Sequence, residues 1–487
     1  MTRPNVVLVV MDTARAVDVP LDDGSSETMP FLRGVADSGT TFTDVTANAP
    51  WTLPSHGSLF SGKHPSVHGA HAEHKQFRHE PTLATVLRKE GYHTAAVSNN
   101  TWISGEFGFD RGFDEFVSTW QLFQDGTDFG DVAQTEMGAL NQLRGVLRKF
   151  HGNPLKNVAN LVYGNFFRKK DDDGARRTNR IVADRLSEWA DSPDPFFLFL
   201  NYLEPHIEYD PPDKHAKRFL PDDISVSEAR GVEQDAWAYV TGETSLTERE
   251  LEALRGLYRA ELAYLDERIE DLYALFDDAG LLDETLFIVT GDHGENIGDH
   301  GLMDHQYSLH ETLLHVPLIF SGPGFDSGSR VESPVQILDL FPTILDTVGA
   351  SFDGEDYPGR SLREFDQLPD KRTILSEYIG TQPSIKTLRE RYDCERDVST
   401  FDRRLWAVKF ANEKYIRGSD GSERLFDLRE DPGEQTDLSN RNPDRRRIMA
   451  EKLDERVENL SETTYDDNES AMDTETEQRL EDLGYLQ

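Results

Sequence analysis

The sequence predicts a doubly wound α/β sandwich with a mostly parallel central sheet, and two observations carry this prediction. Five short apolar runs have the length and composition of strands buried on both faces; they cover residues 6–11, 94–97, 196–200, 286–290 and 316–320. Segments with helical periodicity lie between them, at residues 29–39, 82–91, 177–190 and 248–280. Because helical crossovers connect parallel strands, this alternation predicts that all five runs are parallel.

The pattern changes towards the end of the chain. Polar loops follow residues 359–362, and residues 406–410 and 414–416 then alternate as antiparallel strands do. We predict a catalytic α/β domain over residues 1–365 and a smaller C-terminal α+β subdomain over residues 366–487, with a small antiparallel sheet. The acidic tail at 461–477 is predicted to be mobile, and 480–486 to dock onto the fold.

Residues 120–176 interrupt the acidic character of the chain and predict a helical insertion within the catalytic domain. Basic and aromatic side chains are interleaved there: Arg144, Arg148, Lys149, Phe150, His151, Lys156, Tyr163, Phe166, Phe167, Arg168, Lys169 and Lys170. One interpretation is a solvated amphipathic pair of helices packed on the core. The other is a lid or a peripheral membrane contact through 144–170 that meets an anionic glycan or lipid head group.

Composition favours a folded protein with a dense carboxylate surface. The 487 residues include 51 Lys and Arg but 90 Asp and Glu, a formal net charge of −39. The apolar runs argue against disorder, so we interpret this charge as the surface of a halophilic protein, on which high internal salt screens the repulsion. Such a surface would repel a polyanion, which argues against nucleic acid as a partner.

Cysteine usage and hydropathy bear on the compartment. The single cysteine, Cys394, excludes an intrachain disulfide and a thiolate metal cluster. No run approaches the roughly 20 apolar residues of a membrane-spanning helix. The first predicted strand begins at residue 6, which leaves no room for a cleaved secretory signal. We therefore predict a cytoplasmic protein; the sequence leaves its oligomeric state open.

Polar residues follow the predicted strands directly. Asp12 follows the first strand, Asn99 and Asn100 the second, and Asp292 with His293 the fourth. Because active residues of such sheets gather at the carboxyl ends of the strands, we expect these side chains to meet. Two carboxylates and one imidazole suit a divalent cation of intermediate hardness, whereas an all-oxygen site would favour magnesium or calcium.

Residues 51–62 predict a loop that delivers a hydroxyl to the start of a helix. Thr52 stands just before a helix-starting pair, Pro54 and Ser55. The free N–H groups and the dipole of a first helical turn attract anions. The segment therefore predicts a nucleophile that faces a sulfuryl or phosphoryl group.

Two histidines are candidates for protonating the leaving oxygen of an ester. His206 follows a central strand in a proline-rich turn, and His305 belongs to a set with His300, His310 and His315. We expect one or two of this set to face the ester. His315 precedes a predicted strand and is expected to be a packed core residue.

These segments together resemble a known family. The chain resembles the sulfatase family of the alkaline phosphatase superfamily over nearly its whole length. The matching residues are 4–12, 52–56, 61–62, 64–69, 91–95, 108–114, 204–206, 291–295, 339–343 and 483–485. The resemblance implies an alkaline-phosphatase-like fold and a metal-dependent ester hydrolase.

The resemblance also implies site residues. Asp12, Thr52, Asp292 and His293 would bind one divalent metal cation, with Mg, Ca, Mn and Zn all open. His206 and His305 would contact the substrate or leaving group, and His56, Asn99 and Asn100 occupy substrate-binding positions. A second metal would need further ligands, for which the suggestive positions are Asp210, His206, His305 and His310, so one metal is the prediction.

This sequence departs from the family pattern at four places. Relatives that use formylglycine have Cys or Ser where Thr52 stands and usually Arg where His56 stands. They often have Asp where Thr13 stands and Lys near Asn99. A formylglycine hydrate has two oxygens on one carbon and can expel sulfate by collapsing to the aldehyde, whereas threonine has one oxygen and cannot. A Thr52 adduct must therefore be released by water or by another acceptor.

Three functions remain open at this point. The leading prediction is a sulfatase-like hydrolase that cleaves a sulfuric or phosphoric ester, a small-molecule or glycan-linked substrate, through Thr52. The second is a phosphodiesterase or a transferase of the phosphoglycerol or phosphoethanolamine type that acts on a glycan or lipid. The third is a catalytically silent binding module that keeps the pocket.

Overall fold

The computed structural model describes residues 3–21, 27–119, 173–325, 328–350 and 357–463. The basic surface at 144–170, almost all of the predicted insertion at 120–176 and nearly all of the tail from 461 onwards lie outside these residues. None of the described helices is both long enough and apolar enough to span a bilayer.

An eight-stranded sheet forms the centre of the molecule, in the order β11-β2-β10-β7-β1-β6-β4-β5. Its strands are β1 (Asn5–Met11), β2 (Thr40–Phe42), β4 (His93–Ser98), β5 (Glu115–Ser118), β6 (Phe196–Tyr202), β7 (Thr285–Gly291), β10 (Leu318–Ser321) and β11 (Ser329–Val331). Strands β7, β1, β6, β4 and β5 run parallel. Two-residue strands pair outside the sheet: β3 (Val45–Thr46) with β12 (Val335–Gln336), and β8 (Asn296–Ile297) with β9 (Met303–Asp304).

Helices cover both faces of the sheet, as predicted for a doubly wound fold. In chain order they are α1 (Pro30–Ser38), α2 (Thr52–Ser61), α3 (Pro65–His68), α4 (Leu83–Lys89), α5 (Ala175–Ala190), α6 (Asp213–Phe219), α7 (Val226–Ala229), α8 (Ala236–Thr241), α9 (Glu248–Asp278), α10 (Glu311–Leu314), α11 (Leu340–Val348), α12 (Ile385–Arg391) and α13 (Pro443–Val457). Capping boxes begin α4 at Thr82 and α9 at Thr247, because each cap side chain accepts the N–H three residues on.

Strand β1 shows how the two cores form. Side chains alternate across a strand, and all those of β1 from Val6 onwards are buried because both faces are covered. Val6, Leu8 and Val10 join the core that contains α2, α4 and α11. Val7, Val9 and Met11 join the core that contains α1, α5 and α9. A continuous apolar run was therefore the right signal for this strand.

The prediction that residues 316–320 form a parallel strand is wrong. Strand β10 covers Leu318–Ser321 and runs antiparallel to both of its neighbours, β7 and β2. The chain between β7 and β10 holds only short elements, the β8–β9 hairpin and the four-residue α10. The connection holds no helix long enough to return the chain to the opposite edge of the sheet. The chain therefore re-enters the sheet at the edge where β7 ended, and β10 runs in the opposite direction to β7.

The predicted small antiparallel sheet is present. Strands β13 (Ile374–Tyr378), β14 (Leu405–Phe410), β15 (Glu413–Gly418) and β16 (Glu423–Asp427) pair in sequence order, and α13 packs on β14 and β15 around a separate small core. The domain boundary at residues 365 and 366 stays a prediction.

An ion-pair cluster joins this sheet to the rest of the chain; it comprises Asp44, Glu311, Lys409, Lys414 and Glu434. Lys409 Nζ lies 2.7 Å from Asp44 Oδ1 and 2.9 Å from Glu311 Oε2. Lys414 Nζ lies 2.8 Å from Glu311 Oε1 and 3.1 Å from Glu434 Oε1. Both lysines belong to the small sheet, Lys409 on β14 and Lys414 on β15. Asp44 lies in the loop between β2 and β3, and Glu311 is the first residue of α10.

Candidate active site

The predicted site residues lie at the carboxyl edge of the central sheet. Asp12 follows β1, Asn99 and Asn100 follow β4, and Asp292 with His293 follow β7. Since β1 pairs with β7 on one side and with β6 on the other, the first and last of these groups are neighbours. Helix α2 begins at Thr52, two residues earlier than the Pro54–Ser55 pair suggests, so Thr52 is its first residue.

Four side chains converge at this edge; we call Asp12, Thr52, Asp292 and His293 the metal cluster. His293 Nε2 lies 3.3 Å from Thr52 Oγ1, 3.3 Å from Asp292 Oδ2 and 3.7 Å from Asp12 Oδ1. All four residues are buried. Among the described residues, Asp12 Oδ1 and Asp292 Oδ2 have no hydrogen-bond partner. Two buried carboxylate oxygens without partners are costly in an apolar interior, so the arrangement calls for a cation.

The remaining atoms of these ligands are held by other groups. His293 Nδ1 lies 2.9 Å from the Gly294 carbonyl, which can only accept, so Nδ1 carries the proton and the Nε2 lone pair faces the cluster. Asp292 Oδ1 accepts the His293 N–H at 2.9 Å. Asn100 Nδ2 donates to Asp12 Oδ2 at 2.6 Å. The cluster therefore presents two carboxylate oxygens, one imidazole nitrogen and one hydroxyl, a donor set that fits a divalent cation.

Electrostatics agree with this fit. Burial, together with the charge of Asp12, raises the pKa of Asp292 well above its usual value. Burial, with His305 nearby, lowers the pKa of His293 well below its usual value, which keeps the imidazole neutral as a ligand.

Helix α2 is fixed to the metal cluster at its first turns. Ser55 Oγ donates to the Asp292 carbonyl at 2.6 Å. His56 Nδ1, 2.9 Å from the Thr52 carbonyl, donates to it across one helical turn and also lies 3.4 Å from Asp292 Oδ2. The His56 ring is fully buried with its edge towards Phe109 and Phe199, and burial lowers its pKa to about 4. His56 is thus a neutral group packed behind the cluster; its substrate-binding role stays a prediction.

The two adjacent asparagines face different parts of the molecule. Asn100 bonds to Asp12, and its Nδ2 also lies 3.4 Å from Thr52 Oγ1. Asn99 Oδ1 instead accepts the Thr178 hydroxyl at 3.0 Å, at the start of α5. Consecutive residues at a strand end point to opposite sides, so only Asn100 is brought into the metal cluster.

His305 lies beside the metal cluster and His206 beside His305. The ring centroid of His305 is 4.6 Å from that of His293 and 5.1 Å from that of His206. His206 is half-buried, and its Nδ1 contacts the Ile207 carbonyl. The other histidines of the set lie elsewhere: His300 stacks on His310 at 3.7 Å, His310 contacts Glu434, and half-buried His315 contacts the Thr43 carbonyl.

Two acidic residues that sequence reasoning did not assign surround His305. His305 Nδ1 lies 2.6 Å from Asp304 Oδ1 and 3.6 Å from Glu295 Oε1. Burial lowers the pKa of His305, but these two carboxylates outweigh it and raise the pKa well above its usual value. The signals available were the position of Asp304 directly before His305 and that of Glu295 two residues after His293. The residue between His293 and Glu295 must be a glycine, because a Cβ on Gly294 would lie 2.0 Å from the Thr312 carbonyl oxygen.

A mostly parallel sheet that gathers two buried carboxylates, an imidazole and a helix-borne hydroxyl at its carboxyl edge has the composition of a hydrolytic metal site in an α/β fold. Comparison with known proteins narrows the class. The family model described as Sulfatase matches residues 4–350, and the chain therefore belongs to the sulfatase family. It is an enzyme of the sulfuric or phosphoric ester hydrolase class.

Individual relatives match most of the chain. Arylsulfatase K of Bos taurus is 26% identical over 482 residues, which cover 92% of this chain and 81% of that protein. The phosphonate monoester hydrolase SpPMH from Silicibacter pomeroyi superposes with a TM-score of 0.68 at 21% identity, covering 94% of this chain and 96% of its own. BT4656 has been solved in complex with its substrate D-glucosamine-2-N,6-O-disulfate. It superposes with a TM-score of 0.65 at 17% identity, covering 94% of this chain and 98% of its own. At these identities the two solved structures show the likeness of fold.

Proposed function

We propose that this enzyme hydrolyses a sulfuric or phosphoric ester on a sugar or glycan-linked substrate, with Thr52 as the nucleophile. The observation that carries the proposal is the position of Thr52 Oγ1, 3.3 Å from His293 Nε2, beside two buried carboxylates that each present an oxygen without a partner. Among the described residues, Thr52 is the one that places a side-chain hydroxyl within hydrogen-bond distance of the His293 ring. The start of α2 adds the positive end of a helix dipole at the same point.

Asp12, Thr52, Asp292 and His293 would hold one divalent cation. When bound, it lowers the pKa of the Thr52 hydroxyl and offsets the negative charge of the ester. Asn100 holds Asp12 in place through its bond to Oδ2, and Gly294 fixes the tautomer of His293 through its carbonyl. Mg, Ca, Mn and Zn all remain compatible with the donor set.

The reaction proceeds in two displacements. Thr52 Oγ gives its proton to solvent and attacks the sulfur or phosphorus, and the bond from that atom to the leaving ester oxygen breaks. His305, held protonated by Asp304 and Glu295, or its neighbour His206 gives a proton to the leaving oxygen. Water then gives a proton back to that histidine and attacks the same sulfur or phosphorus, the bond to Oγ breaks, and Oγ takes a proton from solvent, which restores the Thr52 hydroxyl with release of sulfate or phosphate.

The names of the relatives support both ester types. Arylsulfatase K supports a sulfate ester, and the disulfated glucosamine bound to BT4656 supports a sugar that carries it. The phosphonate monoester hydrolase supports phosphorus chemistry. Because Thr52 has a single side-chain oxygen, the covalent intermediate must be released by attack on sulfur or phosphorus; we propose water as the attacking group, which suits both atoms.

The test combines metal analysis with a substrate panel of aryl sulfate, phosphate monoester, phosphodiester and phosphonate. We expect turnover of at least one member, loss of turnover in Thr52→Ala, and partial activity in Thr52→Ser, which keeps the hydroxyl. Mass spectrometry of the quenched reaction should find a sulfuryl or phosphoryl adduct on the peptide that contains Thr52.

Other outcomes would point to the alternatives. Retained activity in Thr52→Ala would overturn the nucleophile. Product that appears only when a sugar or lipid acceptor is added would indicate a transferase, and no turnover of any panel member with any of the four metals would indicate a binding module.

A further inference from the structure

A second group of potential ligands lies directly beside the metal cluster; we call Glu295, Asp304 and His305 the second cluster. All three residues are buried, and each offers one ligand atom within 4.8 Å of the others. The His305 ring centroid lies 4.6 Å from that of His293, so the two clusters are immediate neighbours.

Glu295 is a buried carboxylate whose nearest cationic group is the His305 ring, which it shares with Asp304. Its side chain is 0% exposed, and neither carboxylate oxygen has a hydrogen-bond partner among the described residues. The hydroxyl of buried Tyr209 likewise has no hydrogen-bond partner in the described part of the chain, and burial together with Glu295 raises the pKa of Tyr209 well above its usual value. A buried carboxylate with no hydrogen bonds is destabilising unless a positive charge lies against it.

The nearby arginine does not supply that charge. Arg15 Nη1 donates to the backbone carbonyl of Glu295 at 3.3 Å, not to its carboxylate. The rest of its guanidinium is taken by Asp18, at 2.6 Å from Nε, and Asp299, at 3.3 Å from Nη1. The carboxylate of Glu295 therefore faces His305, which Asp304 already contacts at 2.6 Å, so two carboxylates share one imidazole.

We propose that Glu295, Asp304 and His305 form a second divalent-cation site adjacent to the first, for a cation of intermediate hardness such as Mn²⁺ or Zn²⁺. Two carboxylates and one imidazole are a donor set for such ions. This proposal goes beyond the proposed function, which uses one cation. Because a metal ligand must give up its proton, a loaded second cluster leaves His206 as the side chain that protonates the leaving oxygen.

The test measures metal stoichiometry on the full-length protein, not activity. Metal-free protein is dialysed against Mn²⁺, and bound metal is counted by mass spectrometry. We expect two equivalents in the wild type and one in Glu295→Gln, whose weaker site should lose at least about 10-fold in affinity. Asp12→Asn should also retain one equivalent, and Glu284→Gln, which alters an exposed carboxylate, should retain two.

Electron paramagnetic resonance provides a second readout. Two Mn²⁺ ions in adjacent sites couple magnetically, so the fully loaded wild type should show a broadened spectrum, whereas Glu295→Gln should show the sharp lines of an isolated ion. Should Glu295→Gln fail to fold by circular dichroism, Asp304→Asn serves as the second variant.

One equivalent in the wild type, or two in both Glu295→Gln and Asp304→Asn, would overturn the proposal and indicate that protonated His305 alone neutralises the two carboxylates. The result is separable from the nucleophile assignment. If the wild type binds two equivalents of Mn²⁺ and Thr52→Ala is active, the nucleophile is wrong and the second site stands. If the wild type binds one equivalent and Thr52→Ala is inactive, the second site is wrong and the nucleophile stands.

Discussion

The metal cluster is buried and the ion-pair cluster is buried or half-buried, and these two groups of charged side chains differ in whether each charge has an ionic partner. In the ion-pair cluster, Glu311 contacts Lys409 and Lys414 within 2.9 Å. Burial raises the pKa of Glu311, but the two lysines outweigh it and hold the pKa well below its usual range. In the metal cluster, no lysine or arginine of the described residues contacts Asp292, and burial together with the charge of Asp12 raises its pKa. Paired charges hold this fold together, whereas unpaired ones mark where it binds and reacts.

The largest effect is expected from removing an unpaired charge. Asp292→Asn should lower kcat/KM by at least about 1,000-fold, because it removes a ligand of the cation that activates Thr52. The same variant should leave the metal-free protein as stable as the wild type or more stable, since it removes a buried carboxylate that has no partner for Oδ2. Steady-state kinetics and thermal unfolding in chelator check the two parts. A destabilised metal-free variant would contradict the comparison.

The opposite pattern is expected for a paired charge. Lys414→Met should lower the free energy of unfolding by about 3 to 5 kcal/mol, because it leaves buried Glu434 without its lysine and Glu311 with Lys409 alone. Urea unfolding measures this loss. The double variant Lys414→Met/Glu434→Gln is the matched control and should recover part of it, because it removes one of the abandoned charges. Equal stability of the single variant and the wild type would show that the cluster contributes nothing.

A third buried carboxylate, that of Glu377, has hydrogen-bond donors but no lysine or arginine partner among the described residues, and it should make the free energy of unfolding depend on pH. Burial raises the pKa of Glu377 to about 7, although the Ser66 N–H and hydroxyl donate to it at 3.0 and 2.9 Å. Its folded pKa lies above its unfolded one, so its contribution is fully present below about pH 4.5 and is lost as the pH rises through 7. At pH 9 the loss should be about 1 to 3 kcal/mol.

Glu377→Gln keeps the acceptor for Ser66 and cannot ionise. We therefore expect its free energy of unfolding to vary less than that of the wild type between pH 5 and pH 9, with the variant the more stable of the two at pH 9. Parallel urea curves for the two proteins across this range would contradict the shifted pKa.

The sequence predicts those parts of the molecule in which local pattern and tertiary environment agree. Strand β1 is covered on both faces and is therefore apolar throughout, which is readable from residues 6–11 alone. The direction of β10 is not readable, because an apolar run looks the same in either direction and the cause lies in the connection before it. The three-residue strands β2 and β11 are too short to give a periodic signal.

The site was predictable to the same extent. Asp12, Asp292 and His293 follow strong strand patterns, so their convergence follows from the fold class. The roles of Asn99 and Asn100 depend on which side of the strand end each one faces, which needs the register. The importance of Glu295 and Asp304 depends on which side chains contact them in the folded protein, and the sequence does not show this. The ion pairs of Glu311 with Lys409 and Lys414 join residues about 100 positions apart, so sequence spacing does not predict them.

The smallest effect concerns the exposed charges, which belong to neither cluster. With a formal net charge of −39, mutual repulsion on the surface should weaken as salt rises, and we propose that the protein is adapted to such conditions. The melting temperature should rise by about 5 °C between dilute buffer and about 2 M KCl. Because buried pairs are screened much less than exposed ones, the loss caused by Lys414→Met should be nearly the same in both buffers. Equal melting temperatures in the two buffers would contradict the halophilic interpretation, and a Lys414→Met loss that disappears in KCl would show that the ion-pair cluster behaves as part of the surface.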